Sequence, residues 1–175
     1  MDVKIPTALD MVVIDIERAV NARFFYLALV GTMTLIDMCG ALENETGTAN
    51  RSTLEGWYRA NLADRYTWLK PEDCYGLRCG LVHQGIAKTD AKGHASQWAR
   101  IFFVLMPNGN TFRNSAATDA YLTGLPEFCL DVCSQVKVWA ASKQTDAIVQ
   151  RNMKNLMKFY REGLSPYVVG VPLLG

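Results

Sequence analysis

The amino-acid sequence predicts a mainly α-helical protein, a bundle of four to five helices with one small inserted β-hairpin. Three observations predict this class. Apolar residues recur at helical spacing through most of the chain, and a strong helix-start signal lies near its middle. An Asn-Gly turn that follows a short apolar run predicts the hairpin. With 175 residues, half of them apolar, the chain fits a single domain over residues 1–175.

Residues 8–44 form the first helical region. The side chains that follow one side of this region are Val12, Ile16, Val20, Phe24, Leu27, Val30 and Thr34. We predict one long helix, or two helices with a break near Gly31. After a polar, turn-rich loop, Asn50 or Ser52 is expected to cap the next helix. That helix carries Leu54, Trp57, Tyr58 and Leu62.

The clearest helix start is the sequence KPED at residues 70–73. Proline at the first helical position and two acids in the first turn suit the positive end of the helix dipole. We expect this helix to run through Leu81. Gly85 is well placed to end it as a left-handed C-terminal cap.

After this helix the apolar residues no longer recur at helical spacing. ARIFFVLM is short, apolar and rich in aromatic residues, and PNGN and TFR follow it, so we predict a β-hairpin at about residues 99–114. Helical patterning resumes over residues 116–142 and again over residues 145–162. The apolar tail at residues 165–175 contains two prolines. We expect it to pack as an extended strap or against a partner chain.

The composition indicates a soluble intracellular protein. MDVKIPTALD at the N-terminus is not a signal peptide, and the uncharged stretch between Arg23 and Asp37 has 13 residues, too few to cross a bilayer. Five cysteines without a secretory signal favour reduced thiols. We therefore expect a cytoplasmic location and no membrane partner.

The sequence YGLRCGLVHQG at residues 75–85 holds the main candidate site, Arg78 and His83. On an ideal helix the two positions lie about 7.5 Å and 140° apart, so only the length of the arginine lets the side chains converge. Histidine exchanges a proton near neutral pH, and arginine binds phosphate oxygens through a planar fork of donors. These groups suit cleavage of RNA by its own 2′-OH, a reaction that requires no metal or other cofactor.

The same two residues also have a structural interpretation. Arg78 would then pair with a nearby carboxylate such as Glu72 or Asp73, and His83 would cap the last carbonyls of its helix. An acid on the first helical region, Asp37 or Glu43, is a further candidate to orient Arg78.

The longer string DCYGLRCGLVHQG resembles the signature of the HEPN superfamily. The hallmark of that family is an arginine, four to six residues, and then a histidine near the end of a helix in a compact helical bundle. Asp73 and Tyr75 precede the arginine, Leu77 and Leu81 occupy the expected apolar positions, and a His-x-Gly ending follows. The upstream LIDMCGAL segment and the Trp-bearing helix also fit, so the resemblance extends over about residues 8–160.

The resemblance implies a homodimer that sets the Arg–His pairs of two protomers around a shared cleft. It implies a metal-independent endoribonuclease of toxin–antitoxin or antiphage type, with Arg78 and His83 as catalytic residues, RNA as partner and an antitoxin or other protein as a further partner. Cys79 stands where many active members carry a polar residue, often Asn. This departure favours the alternative, a non-catalytic HEPN binding or scaffolding module.

The sequence RNMKNLMKFYR at residues 151–161 is a second candidate site. On a helix it forms one basic stripe that we interpret as substrate-binding and suited to a phosphate backbone, made of Arg151, Lys154, Lys158 and Arg161. The same helix would turn Leu156, Phe159 and Tyr160 inward and leave no aromatic side chain on the basic side. The alternative is an amphipathic helix with a solvated basic face.

The cysteines allow a metal interpretation. Cys79 and His83 are four residues apart, as are Cys129 and Cys133, so two helices could complete a tetrahedral zinc site. The spacing differs from that of most structural zinc modules, and CLDVC lies on an apolar stripe, so buried thiols are the preferred interpretation. Cys79 as a nucleophile beside His83 is a weaker alternative, and His94 is interpreted as incidental.

Overall fold

The computed structural model describes residues 7–67, 69–87, 100–105 and 120–175, and it confirms a mainly helical fold with a few small strands. The helices in this part of the chain are α1 (Ala8–Asn21), α2 (Phe25–Leu42), α3 (Arg51–Asn61), α4 (Pro71–Gln84), α5 (Leu125–Ser142) and α6 (Ala147–Met153). The strands are β1 (Arg100–Val104), β2 (Ala120–Gly124), β3 (Phe159–Tyr160), β4 (Gly163–Leu164), β5 (Val168–Val169) and β6 (Leu173–Leu174).

The first helical region consists of two helices that separate at residues 22–24, not near Gly31. Arg23 turns the chain there through a left-handed backbone conformation, with φ of 61°. Gly31 lies inside α2, where an added Cβ would come within 2.9 Å of the Ile16 side chain. The glycine therefore permits the close approach of α1 and α2, and the prediction of a break at Gly31 was wrong.

Helix α2 is the central element of the bundle. It packs against α1, α3, α4, α5 and α6. Its length and composition would suffice to cross a membrane, but 56% of this apolar window is buried inside the protein. That burial is typical of the core helix of a soluble protein. The side that faces solvent carries Leu27 and Thr34, so the predicted apolar stripe is only partly the core face.

The predicted caps of α3 and α4 are confirmed. Asn50 caps α3 by accepting the backbone N–H of the third helical residue. Pro71 is the first residue of α4, as expected from the start signal. Gly85 ends α4 in the left-handed conformation, with φ of 69°. The N–H of Ile86 donates to the carbonyl of Gly80 at 3.1 Å, which closes the helix end.

Strand β1 lies within the hairpin predicted at about residues 99–114, and its described partner is β2. The two strands run parallel, from Arg100 opposite Ala120 to Val104 opposite Gly124. The Asn-Gly turn and second arm of the predicted hairpin lie outside the described residues, so the hairpin stays a prediction. The helix expected from residue 116 begins at Leu125 instead, because residues 120–124 are extended in β2 and proline follows at the helix start.

The helix expected over residues 145–162 ends at Met153, so the prediction of one continuous helix was wrong. The buried Asn152 side chain donates to the backbone oxygens of Leu42 at 3.1 Å and Asn44 at 2.8 Å, which anchors α6 at the end of α2. Beyond Lys154 the chain turns, and β3 pairs with β6 while β4 pairs with β5, both antiparallel. The apolar tail therefore pairs with residues 159–164 of its own chain.

Candidate active site at the end of α4

Helix α4 brings the two predicted catalytic residues into contact. The Nη1 atom of Arg78 lies 3.0 Å from the Nε2 atom of His83, although the residues are five positions apart. The Arg78 side chain is 23% exposed, and His83 is exposed at the last turn. Because a guanidinium can only donate, this contact requires Nε2 of His83 to accept. The imidazole in this arrangement is therefore neutral, with its proton on Nδ1.

Asp37 of α2 holds Arg78 from the opposite side. The Nη2 atom of Arg78 donates to the Oδ2 atom of Asp37 at 2.5 Å, and the Asp37 side chain is only 10% exposed. Of the acids proposed from the sequence, Asp37 is the partner. Glu72 instead pairs with Arg59 at 3.5 Å, and Asp73 accepts the backbone N–H at the N-cap of α4.

The cluster of Asp37, Arg78 and His83 combines an oriented cation with a proton acceptor at the surface. A purely structural role predicts that Arg78 pairs internally and is closed off from solvent. Arg78 does pair with Asp37, but its side chain remains 23% exposed, beside the exposed His83. In the part of the chain that the structure describes, the buried Nε atom of Arg78 has no hydrogen-bond partner. The guanidinium is thus held by Asp37 through Nη2 and lies beside the imidazole of His83 through Nη1.

Cys79 is directed to Tyr75 rather than to His83. A hydrogen bond with Cys79 is the main cause that raises the pKa of Tyr75, followed by burial. The guanidinium of Arg51 lies over the Tyr75 ring, 5.8 Å from its centre. Among the described residues His83 makes its hydrogen bond to Arg78 and none to Cys79. The geometry therefore offers no support for Cys79 as a nucleophile activated by His83.

Exposed apolar side chains lie on the first turn of α2 and on the last turn of α4 with the residue after its cap. We call them the apolar rim: Tyr26, Leu27, Val82 and Ile86. Tyr26 lies against the end of α4, since its hydroxyl is 3.4 Å from the position of a Cβ built on Gly85. This rim was not predicted, because helical spacing places Leu27 on the apolar stripe of the first helical region. The turn at Arg23 is what leaves Leu27 exposed.

The two cysteines of the zinc alternative on α5 are buried. Burial raises the pKa of Cys129 to about 11 and that of Cys133 to about 12, so both thiols stay protonated at neutral pH. Cys133 contacts the carbonyl oxygen of Val13 in the core, with its Sγ atom at 3.9 Å. Within the described ranges no three potential metal ligands come together. The two pairs therefore do not form the tetrahedral set that the alternative requires.

The four predicted substrate-binding cations do not form one helical stripe, because α6 ends at Met153. Arg151 hydrogen-bonds the carbonyl oxygen of Glu45, and its Nη2 atom lies 3.5 Å from the Glu45 carboxylate. Lys154, Lys158 and Arg161 are exposed, and no side chain in the described residues forms an ion pair with them. His94 lies outside the residues that the structure describes.

Comparison of this chain with protein-family models, with curated proteins and with solved structures finds no match. The polar cluster of Asp37, Arg78 and His83 is the arrangement with the most definite chemistry in the described part of the chain.

Proposed function

We propose that the protein is a HEPN-like, RNA-directed, metal-independent endoribonuclease of toxin or antiphage type that acts in the cytoplasm. The observation that supports this proposal is the 3.0 Å contact between Arg78 and His83, which presents a neutral imidazole and a guanidinium side by side. A neutral imidazole can act as a general base, and a guanidinium suits the charge of a phosphate in the transition state.

The proposed reaction is transesterification within the RNA. A bound phosphate would take the place of His83 beside Nη1 of Arg78, and this would free Nε2 of His83 to accept the proton of a 2′-OH while the oxygen attacks the adjacent phosphorus. The bond from phosphorus to the 5′ oxygen breaks, which leaves a 2′,3′-cyclic phosphate on one fragment and a 5′-OH on the other. Arg78 stabilises the negative charge that accumulates on the phosphate oxygens. Asp37 holds the guanidinium in place.

A homodimer would supply the second proton transfer. One imidazole cannot accept the 2′-OH proton and protonate the leaving oxygen at the same moment, so the His83 of a second copy would act as the acid. The apolar rim supports this arrangement, because exposed apolar side chains near a site favour contact with another protein surface. An antitoxin or another protein partner would bind at or near the same surface.

Incubation of the purified protein with single-stranded RNA in EDTA tests this function. We expect cleavage products with 2′,3′-cyclic phosphate ends. His83→Ala should lower the rate by at least about 100-fold, and Arg78→Ala should do the same. Arg59→Ala is the matched control, because Arg59 is an exposed cation that pairs with Glu72 of α4 and should leave the rate unchanged. Cleavage that survives both site substitutions would refute the mechanism.

A second candidate function is a non-catalytic binding or scaffolding module on the same fold. It is favoured by Cys79, which is hydrogen-bonded to Tyr75 and provides no strong polar group to the Arg78–His83 pair. In this case the wild-type protein cleaves no RNA. His83→Ala would instead weaken the binding of a partner while the protein remains folded.

A further inference from the structure

A second polar feature lies at the C-terminal side of α6, where an open cavity of about 460 Å³ separates the start of α1 from the chain after α6. That volume lies within the range of small-molecule sites, which is roughly 300–1,000 Å³. The side chains that matter here are Met153, Lys154, Met157, Lys158, Phe159 and Tyr160. The cavity is thus lined by two lysines, two aromatic residues and two methionines.

The early end of α6 creates this combination. On a continuous helix the aromatic residues would face the core and the lysines would face solvent. The chain instead leaves the helix after Met153, and Phe159 and Tyr160 enter β3. Backbone bonds between Lys158 and Gly175, at 2.6 and 3.0 Å, extend the pairing of β3 with β6 and hold this segment in place.

The lysines of the cavity differ from their neighbours in charge pairing. Over residues 137–158 there are four lysines. Lys137 pairs with Glu17 at 2.5 Å, and Lys143 pairs with Glu43 at 2.8 Å. Lys154 and Lys158, which line the cavity, form no ion pair with any described residue, and no carboxylate is among the described residues that line it.

We propose that this cavity binds a nucleoside monophosphate unit, either free or within an RNA strand. The base would stack on the exposed ring of Phe159, because aromatic side chains stack on bases of any sequence. Tyr160, the next residue of β3, contributes to the wall of the cavity. The ammonium groups of Lys154 and Lys158 would contact the phosphate. Gln150, at the cavity wall, donates from Nε2 to the carbonyl oxygen of Lys143 at 3.0 Å, so its Oε1 atom would be the acceptor for the polar edge of the base. For an RNA strand, the proposal rests on the proposed function, since the pocket would then hold a unit of the substrate.

The test measures binding of AMP and of a short single-stranded oligouridylate to the full chain carrying His83→Ala, so that RNA stays intact. Lys154→Gln with Lys158→Gln should weaken binding at least about tenfold and reduce the salt dependence of RNA binding by about two charges. Phe159→Leu should weaken it by about fivefold or more, since it removes a stacking surface but keeps apolar volume. Lys137→Gln with Lys143→Gln is the matched control, with the same change of charge outside the cavity.

The outcomes distinguish a free nucleotide from an RNA strand as the ligand. Binding of both probes, or of either alone, with loss in the cavity variants supports the pocket and identifies the free nucleotide or the strand as ligand. The proposal is overturned if neither probe binds or if the cavity and control variants bind equally. If the cavity variants lose binding but the wild type does not cleave RNA, only the proposed function is refuted. If the wild type cleaves RNA but the cavity variants bind the probes as well as the control does, only this inference is refuted.

Discussion

The protein places cations in two contrasting settings. At the end of α4, Arg78 is largely buried and bound to Asp37 of another helix, with His83 on its free side. Beside the end of α6, Lys154 and Lys158 are exposed and have no acidic partner among the described residues. The first cation contributes to the fold as well as to a site. No acidic side chain among the described residues pairs with Lys154 or Lys158, so the removal of these two cations should affect binding but not stability.

The largest effect on stability is expected for Asp37→Ala, which would leave Arg78 without its acid in a mostly buried position. We expect a loss of about 2 kcal/mol in the free energy of unfolding, because a charge that stays inside without its partner is costly. Urea unfolding followed by the fluorescence of the buried Trp57 and Trp139 measures it. Arg59→Ala, which breaks an exposed pair, should cost less than about 0.5 kcal/mol. Equal losses in the two variants would mean that burial of the Asp37–Arg78 pair does not increase its contribution to the free energy of unfolding.

The two regions also carry glycines of the same conformation, which allows a direct comparison. Gly85 has φ of 69° at the end of α4, and Gly170 has φ of 82° in the turn after β5. Gly85→Ala should lower the free energy of unfolding by about 1 kcal/mol, since a side chain is strained in this region of φ. Gly170→Ala should change it by less than about 0.3 kcal/mol, because strands of two residues open without unfolding the bundle. A loss at Gly170 as large as at Gly85 would show that the tail unfolds together with the helices.

The end of α4 could be predicted from the sequence because its determinants are local. Pro71 starts the helix, Gly85 ends it, and the interval between Arg78 and His83 is short enough for one long side chain to span. Asp37 could be named only as one acid among several, because its contact with Arg78 joins positions 41 residues apart. Sequence spacing carries no information on which of these distant acids is the partner.

The region after α6 could not be predicted because its determinants are distant. Asn152 fixes the end of the helix by bonding to Leu42 and Asn44, more than 100 positions away along the chain. Phe159 leaves the helical pattern because it pairs with Leu174. Similarly, the turn between α1 and α2 depends on Arg23, a residue type with no preference for the left-handed conformation. Helical periodicity continues through all three places, so pattern analysis extends the helices too far.

A small effect on stability is also expected for the double change Lys154→Gln and Lys158→Gln. Both side chains are exposed and without an acidic partner in the described residues, so the free energy of unfolding should change by less than about 0.5 kcal/mol. Lys137→Gln, which removes an ion pair with Glu17, should cost about 0.5 kcal/mol at low salt and less as salt rises. Urea unfolding at two salt concentrations measures both. A loss above about 1 kcal/mol in the double variant would show that these lysines stabilise the tail. Lys154 and Lys158 would then resemble Arg78 in contributing to the fold, and the contrast between the two regions would be wrong.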